Sequence, residues 1–324
     1  RGDSVPSFKH DRVTPAQIII LGFLLLIFTG AVLLMLPFST QEPGGASFGD
    51  ALFTATSATC VTGLVLHDTA LYWSPFGQLV ILLLIQVGGM GVVTIAVAIF
   101  MFAGKRIGLK QRWVMQESIS APQVGGIVRM TGFILKTAFL IEGVGALLLA
   151  LRFCPQFGLG RGLWYAVFHS VSAFCNAGFD LMGVNSPFSS LTDYVGDPLV
   201  SNVIAFLIII GGVGFLTWND IREHKLHFRR YRLQSKLILT TTLALILTGL
   251  LFFLLYEFEQ GQWVDMSLWE RINAAFFQSV TPRTAGFNTV DLTGLSQPAQ
   301  LLIILLMLVG GSPGSTAGGF KTTT

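Results

Sequence analysis

Phe53-Thr-Ala-Thr-Ser-Ala-Thr-Cys-Val-Thr-Gly63-Leu64 recurs twice further along the chain. The later copies read Phe168-His-Ser-Val-Ser-Ala-Phe-Cys-Asn-Ala-Gly178-Phe179 and Phe276-Phe-Gln-Ser-Val-Thr-Pro-Arg-Thr-Ala-Gly286-Phe287. In each, a Phe precedes the Gly by ten residues, small and hydroxylated residues fill the interval, and an apolar residue follows. The glycines are 115 and then 108 residues apart, which makes the chain a threefold array of one unit.

A second motif recurs 24 to 33 residues beyond each of these glycines: Gly88-Gly89-Met90-Gly91, Gly211-Gly212-Val213-Gly214 and Gly310-Gly311-Ser312-Pro313-Gly314. Around both motifs lie long apolar stretches. Ala16–Leu36, Phe76–Phe102, Thr131–Leu151, Pro198–Trp218, Leu237–Tyr256 and Ala299–Val309 approach or reach the roughly 20 residues that cross a bilayer. The composition agrees: of 324 residues, 52% are hydrophobic and 11% charged, where soluble domains carry about 25%. Cys60, Cys154 and Cys175 are too few for a disulfide framework and match no zinc spacing.

Charge sets the orientation. Fifteen of the twenty Lys and Arg fall in three segments. These hold Arg1, Lys9 and Arg12; Lys105, Arg106, Lys110, Arg112, Arg129 and Lys136; and Arg222, Lys225, Arg229, Arg230, Arg232 and Lys236. The intervening segments are acidic, with Asp50, Asp68, Asp180, Asp193, Asp197, Glu257 and Asp291 among their residues. The asymmetry predicts a cytoplasmic N-terminus, and the basic runs read as topology signals rather than nucleic-acid sites.

The expected unit is therefore a first span (M1), a half-length re-entrant helix, a glycine turn and a second span (M2). Non-helical backbone at membrane depth is tolerated only when it is buried in protein or lines a water-filled cavity. A short helix running inward ends in free carbonyls at its negative pole. A glycine turn can aim further carbonyls at a common axis, where they replace the water shell of a cation. The expected fold is an all-α membrane protein of repeated M1–re-entrant pore helix–M2 units around a central pore. Its segments are a cytoplasmic leader (1–15), a first repeat (16–103), a cytoplasmic connection (104–130), a second repeat (131–221), a basic cytoplasmic connection (222–236) and a third repeat (237–324).

The turns Thr59-Cys-Val-Thr-Gly-Leu, Asn176-Ala-Gly-Phe and Thr281-Pro-Arg-Thr-Ala-Gly-Phe-Asn resemble the Trk/Ktr/HKT superfamily of cation transporters, most of all the membrane subunits of bacterial Ktr potassium-uptake systems. Gln86-Val-Gly-Gly-Met-Gly, Tyr194-Val-Gly-Asp-Pro and the tail from Gly310 to Thr322 resemble it too. The resemblance implies a K⁺ pore of four such units, homodimerisation, and control by a cytosolic ring of KtrA/TrkA-like subunits. Those subunits would bind the regulatory nucleotide (ATP/ADP or NAD), with no cofactor in this chain and no metal beyond the transported ion. It implies a bacterial plasma-membrane location, with the lipid bilayer as surroundings. Glycine at all three turns implies K⁺ preference; the alternative is a Na⁺-permeable or Na⁺-coupled transporter of the same architecture. Three units cannot close a four-sided filter, so the sequence is expected to represent part of a longer chain.

The expected selectivity filter is Val61-Thr62-Gly63, Asn176-Ala177-Gly178 and Thr284-Ala285-Gly286. The expected gate is Gly310, Gly311, Ser312, Pro313, Gly314, Ser315, Thr316, Ala317, Gly318 and Gly319, which the resemblance places beneath the filter. Lys321 either acts with it or marks a cytoplasmic helix end. Gly310-Gly-Ser312-Pro-Gly314 also matches the G-x-S-x-G elbow of hydrolases, the basis of a remote intramembrane serine hydrolase reading. It lacks the preceding strand and partner residues which that chemistry needs. Asp197 has no second membrane-embedded Asp to share a proton, as an aspartyl protease requires. His224 and His227 lack metal-ligand spacing. Glu142, inside a span, is expected either to partner a buried polar group or to act as a cation-attracting or inter-unit charge. Arg283 is expected to turn away from the axis into a salt bridge behind the filter, its partner an acid that can lie outside these 324 residues. His169 is expected to be a packed, hydrogen-bonded residue, and Cys60 and Cys175 free thiols.

Overall fold

The computed structural model describes residues 14–102, 108–118, 126–225 and 227–323. The leader positions Arg1, Lys9 and Arg12, and Lys105 and Arg106 in the first basic connection, lie outside the described residues. Among the described residues the chain is helical, and its only β pairing is two isolated bridges.

The first stretch gives α1 (Pro15–Leu34), α2 (Phe48–Cys60), the short α3 (Thr69–Tyr72), α4 (Pro75–Met90) and α5 (Val92–Phe102), followed by α6 (Leu109–Ser118). The second gives α7 (Ile127–Phe157), α8 (Leu159–Phe174), α9 (Pro198–Val213) and α10 (Phe215–His224). The third gives α11 (Leu233–Phe252), α12 (Leu268–Val280) and α13 (Gln297–Leu308). Thus α1, α7 and α11 correspond to the expected first spans, α2, α8 and α12 to the half-length helices, and α4, α9 and α13 to the starts of the expected second spans. Helices α7 and α11 each start four residues before the apolar runs at Thr131 and Leu237.

Local chemistry starts most of these helices. Ser74, Asp197 and Ser296 cap α4, α9 and α13 by accepting from backbone N–H groups of the first turn. Pro75, Pro198 and Pro298 sit in the first turn, where a missing N–H costs nothing. Ser267 and Glu270 form a reciprocal capping box on α12.

The layers are ordered inside out relative to a soluble protein. The spans α1, α7 and α11, with the π-helical extension of α11 to Glu257, are long and apolar enough to cross a bilayer. Their outward faces expose Leu25, Leu140 and Leu247. The half-length helices bury Thr54, Ser57, Ser170, Ser172, Gln278 and Ser279 at the centre. Apolar side chains can face hydrocarbon, whereas polar ones there must find partners inside the protein.

The second spans differ from the continuous helices expected over Phe76–Phe102 and Pro198–Trp218. Helix α4 stops at Met90, Gly91 takes φ 85°, and α5 restarts. Helix α9 stops at Val213, Gly214 takes φ 95°, and α10 leaves at 94°. Helix α13 ends at Leu308 and gives way to a loop. All three breaks fall on the second glycine motif. A left-handed φ is open to glycine at little cost and interrupts the helical ladder.

Candidate ion pathway

Each half-length helix ends in the same backbone device. Two residues before the glycine, a non-glycine residue takes a left-handed conformation: Val61 (φ 56°), Asn176 (φ 57°) and Thr284 (φ 71°). The glycines follow at φ 76°, 72° and 88° for Gly63, Gly178 and Gly286. Thr62, Ala177 and Ala285 between them have no positive φ. In an extended chain successive carbonyls point to opposite sides. Alternating the sign of φ allows them to turn to the same side.

Hydroxyl groups tie each turn to its helix. Ser57 Oγ donates to the Leu64 carbonyl and Ser172 Oγ to the Phe179 carbonyl, both at 2.7 Å. Thr281 Oγ1 donates to the Phe287 carbonyl at 2.5 Å. These straps were missed in the sequence reading, although a Ser six residues before the glycine is visible in the first two repeats.

The three turns meet. A Cβ on Gly63 would lie 2.7 Å from the Ala177 carbonyl oxygen, and one on Gly178 would lie 2.5 Å from that of Ala285. The first turn therefore abuts the second, and the second abuts the third. The first and third turns face each other across a cavity of about 350 Å3 lined by Val61, Thr62, Thr284 and Gly286. Several buried polar atoms here lack hydrogen-bond partners among the described residues, namely Thr59 Oγ1, Asn176 Oδ1, Thr284 Oγ1 and both side-chain polar atoms of Gln278.

The second-span glycines let α4 and α9 approach. A Cβ on Gly88 would collide with the Thr59 carbonyl, and one on Gly211 with the Phe174 carbonyl. Beside the turns lies the Gly310–Gly319 segment, folded back on itself. Gly310 N–H donates to the Phe320 carbonyl (2.8 Å) and Gly311 N–H to the Gly318 carbonyl (3.0 Å). Its tip enters the break between α9 and α10. Ser312 N–H donates to Gly212 O and Thr316 N–H to Gly211 O, while Gly314 O accepts from Phe215 N–H at 2.7 Å. The groups freed by the broken helix are thus satisfied by a loop about 100 residues away in sequence. Thr316 Oγ1 donates to the Phe174 carbonyl (2.9 Å) and accepts from Asn176 Nδ2 (3.2 Å), linking loop to turn. A cavity of about 480 Å3 between them is lined by Val61, Gly88, Gly91, Gly314, Thr316 and Gly318, among others.

A family model described as TrkH, a cation transport protein, matches residues 6–324. The chain belongs to the TrkH cation-transport family. It is 44% identical over 317 residues to the Ktr system potassium uptake protein B of Bacillus subtilis, covering 98% of this chain and 69% of that protein. It is 42% identical over 315 residues to the potassium/sodium uptake protein NtpJ of Enterococcus hirae, covering 97% and 68%. The crystal structure of the potassium transporter TrkH from Vibrio parahaemolyticus superposes with a TM-score of 0.70 at 19% identity, which shows a shared fold. This chain spans 61% of that one. The TrkH family transports cations, and its members are not enzymes.

The remaining singled-out residues find their places in this TrkH-family fold. Glu142 on α7 accepts from Gln86 Nε2 on α4 (3.0 and 3.2 Å), so it partners a polar group across two units. The same seam carries Trp164 Nε1 donating to Gln78 Oε1, and the next seam carries Asn273 Nδ2 donating to Ser201 Oγ. His169 is fully buried; its Nδ1 meets the Tyr165 carbonyl (2.7 Å) and its Nε2 accepts from Leu181 N–H. Cys60 and Cys175 are free. Lys321 donates to the Ala317 carbonyl at 2.8 Å, inside the folded-back loop rather than at a helix end.

Arg283 sits against α11. It is buried, and Nη2 meets Thr242 Oγ1 on α11 at 3.3 Å. Among the described residues it forms no salt bridge, and its Nε has no partner. Neighbouring α11 contributes hydroxyl groups at this level, which sequence reading could not foresee.

The enzyme-like motifs dissolve. Ser312 Oγ is buried and accepts from Thr322 Oγ1, with no histidine hydrogen-bonded to it among the described residues. Asp197 caps α9 and pairs with Arg152 at 2.5 Å. Ligand atoms of Asp220, Glu223 and His224 lie within 4.8 Å of one another. The Asp220 carboxylate, however, is engaged by Ser235 Oγ (2.7 Å), Arg232 N–H (3.1 Å) and Arg232 Nε (3.4 Å). At the acidic end, outside the spans, Asp180 has its carboxyl pushed up to about 6, chiefly by burial, against the pull of the Met182 N–H and with help from the Asp68 charge.

Proposed function

We propose that the protein is the pore subunit of a K⁺ uptake system, passing the ion over backbone carbonyls of Val61–Gly63, Asn176–Gly178 and Thr284–Gly286. The observation that carries this reading is the convergence of three turns with one pattern of alternating φ, each on the carbonyl end of a half-length helix. Partial negative charge at these helix ends favours a cation. A ring of carbonyls then substitutes for its hydration shell. The unpartnered atoms of Asn176, Thr284 and Gln278 fit a pathway for ions and water, because such groups buried alone cost roughly 1–3 kcal/mol each.

In this reading the chain is divided into three M1–pore helix–M2 units. Gly63 leans on the second turn and Gly178 on the third. The Gly310–Gly319 loop with Lys321 is the gate, held shut by its bonds to Gly211, Gly212 and Phe174. A homodimer, a nucleotide-binding cytosolic ring, a plasma-membrane location and a cytoplasmic N-terminus complete the proposal; the relatives named as Ktr system proteins and the basic connections support it.

The test is K⁺ and Na⁺ uptake by the full-length protein in cells deficient in K⁺ uptake and in proteoliposomes. Growth rescue at low K⁺ with K⁺ favoured over Na⁺ is the expected result; failure to carry either ion would sink the reading. The Enterococcus relative named for both potassium and sodium favours Na⁺ permeation as the second reading. Equal uptake of the two ions would select it.

A further inference from the structure

At the basic end a cavity of about 690 Å3 opens between α6, the start of α7 and α10. Arg112, Arg129, Lys136 and Arg222 line it, and among the described residues no carboxylate does. A topology signal explains cations scattered along a connection. It does not explain four of them converging from three helices on one concavity, where they repel one another without an anion. Arg222 is held over the Phe133 ring, 4.7 Å from its centroid, which fixes its guanidinium at the wall. Arg112 has a buried Nε without a hydrogen-bond partner among the described residues. The cavity also receives the N-terminus of the 31-residue α7, whose Gly126 cap offers no side-chain acceptor and whose first turn has no acid. First-turn N–H groups and the positive helix pole add to the attraction for an anion.

We propose that this cavity binds a phosphate group, and that the phosphate belongs to an anionic phospholipid. The source follows from the surroundings. One turn beyond Lys136, α7 exposes Phe139 (55%) and Leu140 (67%), with Leu147 (68%) further along the helix. Acyl chains would lie on this apolar face while the headgroup enters the cavity. Basic pockets between spans at the cytoplasmic surface take lipid headgroups in this way.

The experiment measures lipid retention on the full-length protein in detergent, by native mass spectrometry and thermal shift. It compares phosphatidylglycerol, phosphatidylcholine and inorganic phosphate. Phosphatidylglycerol should bind and stabilise, and phosphatidylcholine should not. Arg129 and Arg222 are exposed, so changing them removes no buried side chain, although the contact of Arg222 with the Phe133 ring is lost. Arg129→Gln with Arg222→Gln should weaken phosphatidylglycerol by roughly 25-fold, about fivefold per cation. Arg229→Gln with Arg230→Gln, equal in charge but outside the cavity, should leave it unchanged. Equal losses in both pairs, unchanged binding in the cavity pair, or equal retention of phosphatidylcholine would each overturn the proposal. Inorganic phosphate stabilising the protein as well as the lipid would overturn the lipid source. Because the readout is bound lipid, failure here is separable from failure of the K⁺ reading.

Discussion

Replacing Gly63 by alanine tests whether the turns act as one filter. At φ 76° an added Cβ introduces left-handed strain of about 1–2 kcal/mol. The Cβ would also stand 2.7 Å from the Ala177 carbonyl oxygen, where ordinary contact begins at 3.4 Å. The neighbouring carbonyl must retreat by 3.4 − 2.7 = 0.7 Å, or the first turn must rebuild. Strain and displacement together come to about 2–3 kcal/mol. If that falls on the ion-bound state, K⁺ preference over Na⁺ drops roughly 30- to 150-fold. Proteoliposome flux of each ion measures the ratio, with thermal unfolding as the check on folding. Gly143→Ala is the control, since nothing lies within 4 Å of its added Cβ and its φ is ordinary. A folded Gly63→Ala protein whose ratio stays within twofold of the parent would refute the filter assignment.

Four further perturbations probe the loop, the seam between units and the acidic end. Thr316→Val removes the bond to the Phe174 carbonyl and the acceptor for Asn176; at roughly 1 kcal/mol per bond it should raise K⁺ flux severalfold. Deleting residues 311–318 should raise it further, and lower flux in either folded variant counts against the gate. Glu142→Leu strands the Gln86 amide and should cost about 1–3 kcal/mol in unfolding measurements, with the K⁺/Na⁺ ratio unmoved. Asp180 becomes neutral as pH falls through about 6, so K⁺ uptake at low ionic strength should decline there. Asp180→Asn should flatten that decline. The same raised value means that Asp180 opposes folding increasingly as pH rises from its unfolded value near 4 to about 6, so the variant should be the more stable one at neutral pH.

What the sequence determined by itself was whatever rests on local chemistry repeated along the chain. The three glycine turns, the apolar spans and the basic and acidic ends could be read because each needs particular residues at short spacing. A carbonyl turn needs glycine, a bilayer needs about 20 apolar residues, and topology needs Lys and Arg. The caps at Ser74, Asp197 and Ser296, each with a proline in the following turn, rest on equally local chemistry. Tertiary structure decided which buried polar groups meet. Glu142 finds Gln86 across 56 residues, and Thr316 finds Phe174 across 142. Arg283 ends beside Thr242. The breaks at Gly91 and Gly214 belong to the same class. Glycine permits a helix to stop without compelling it; what fills the break at Gly214 is a loop from the third unit, supplying the bonds that the helix gave up.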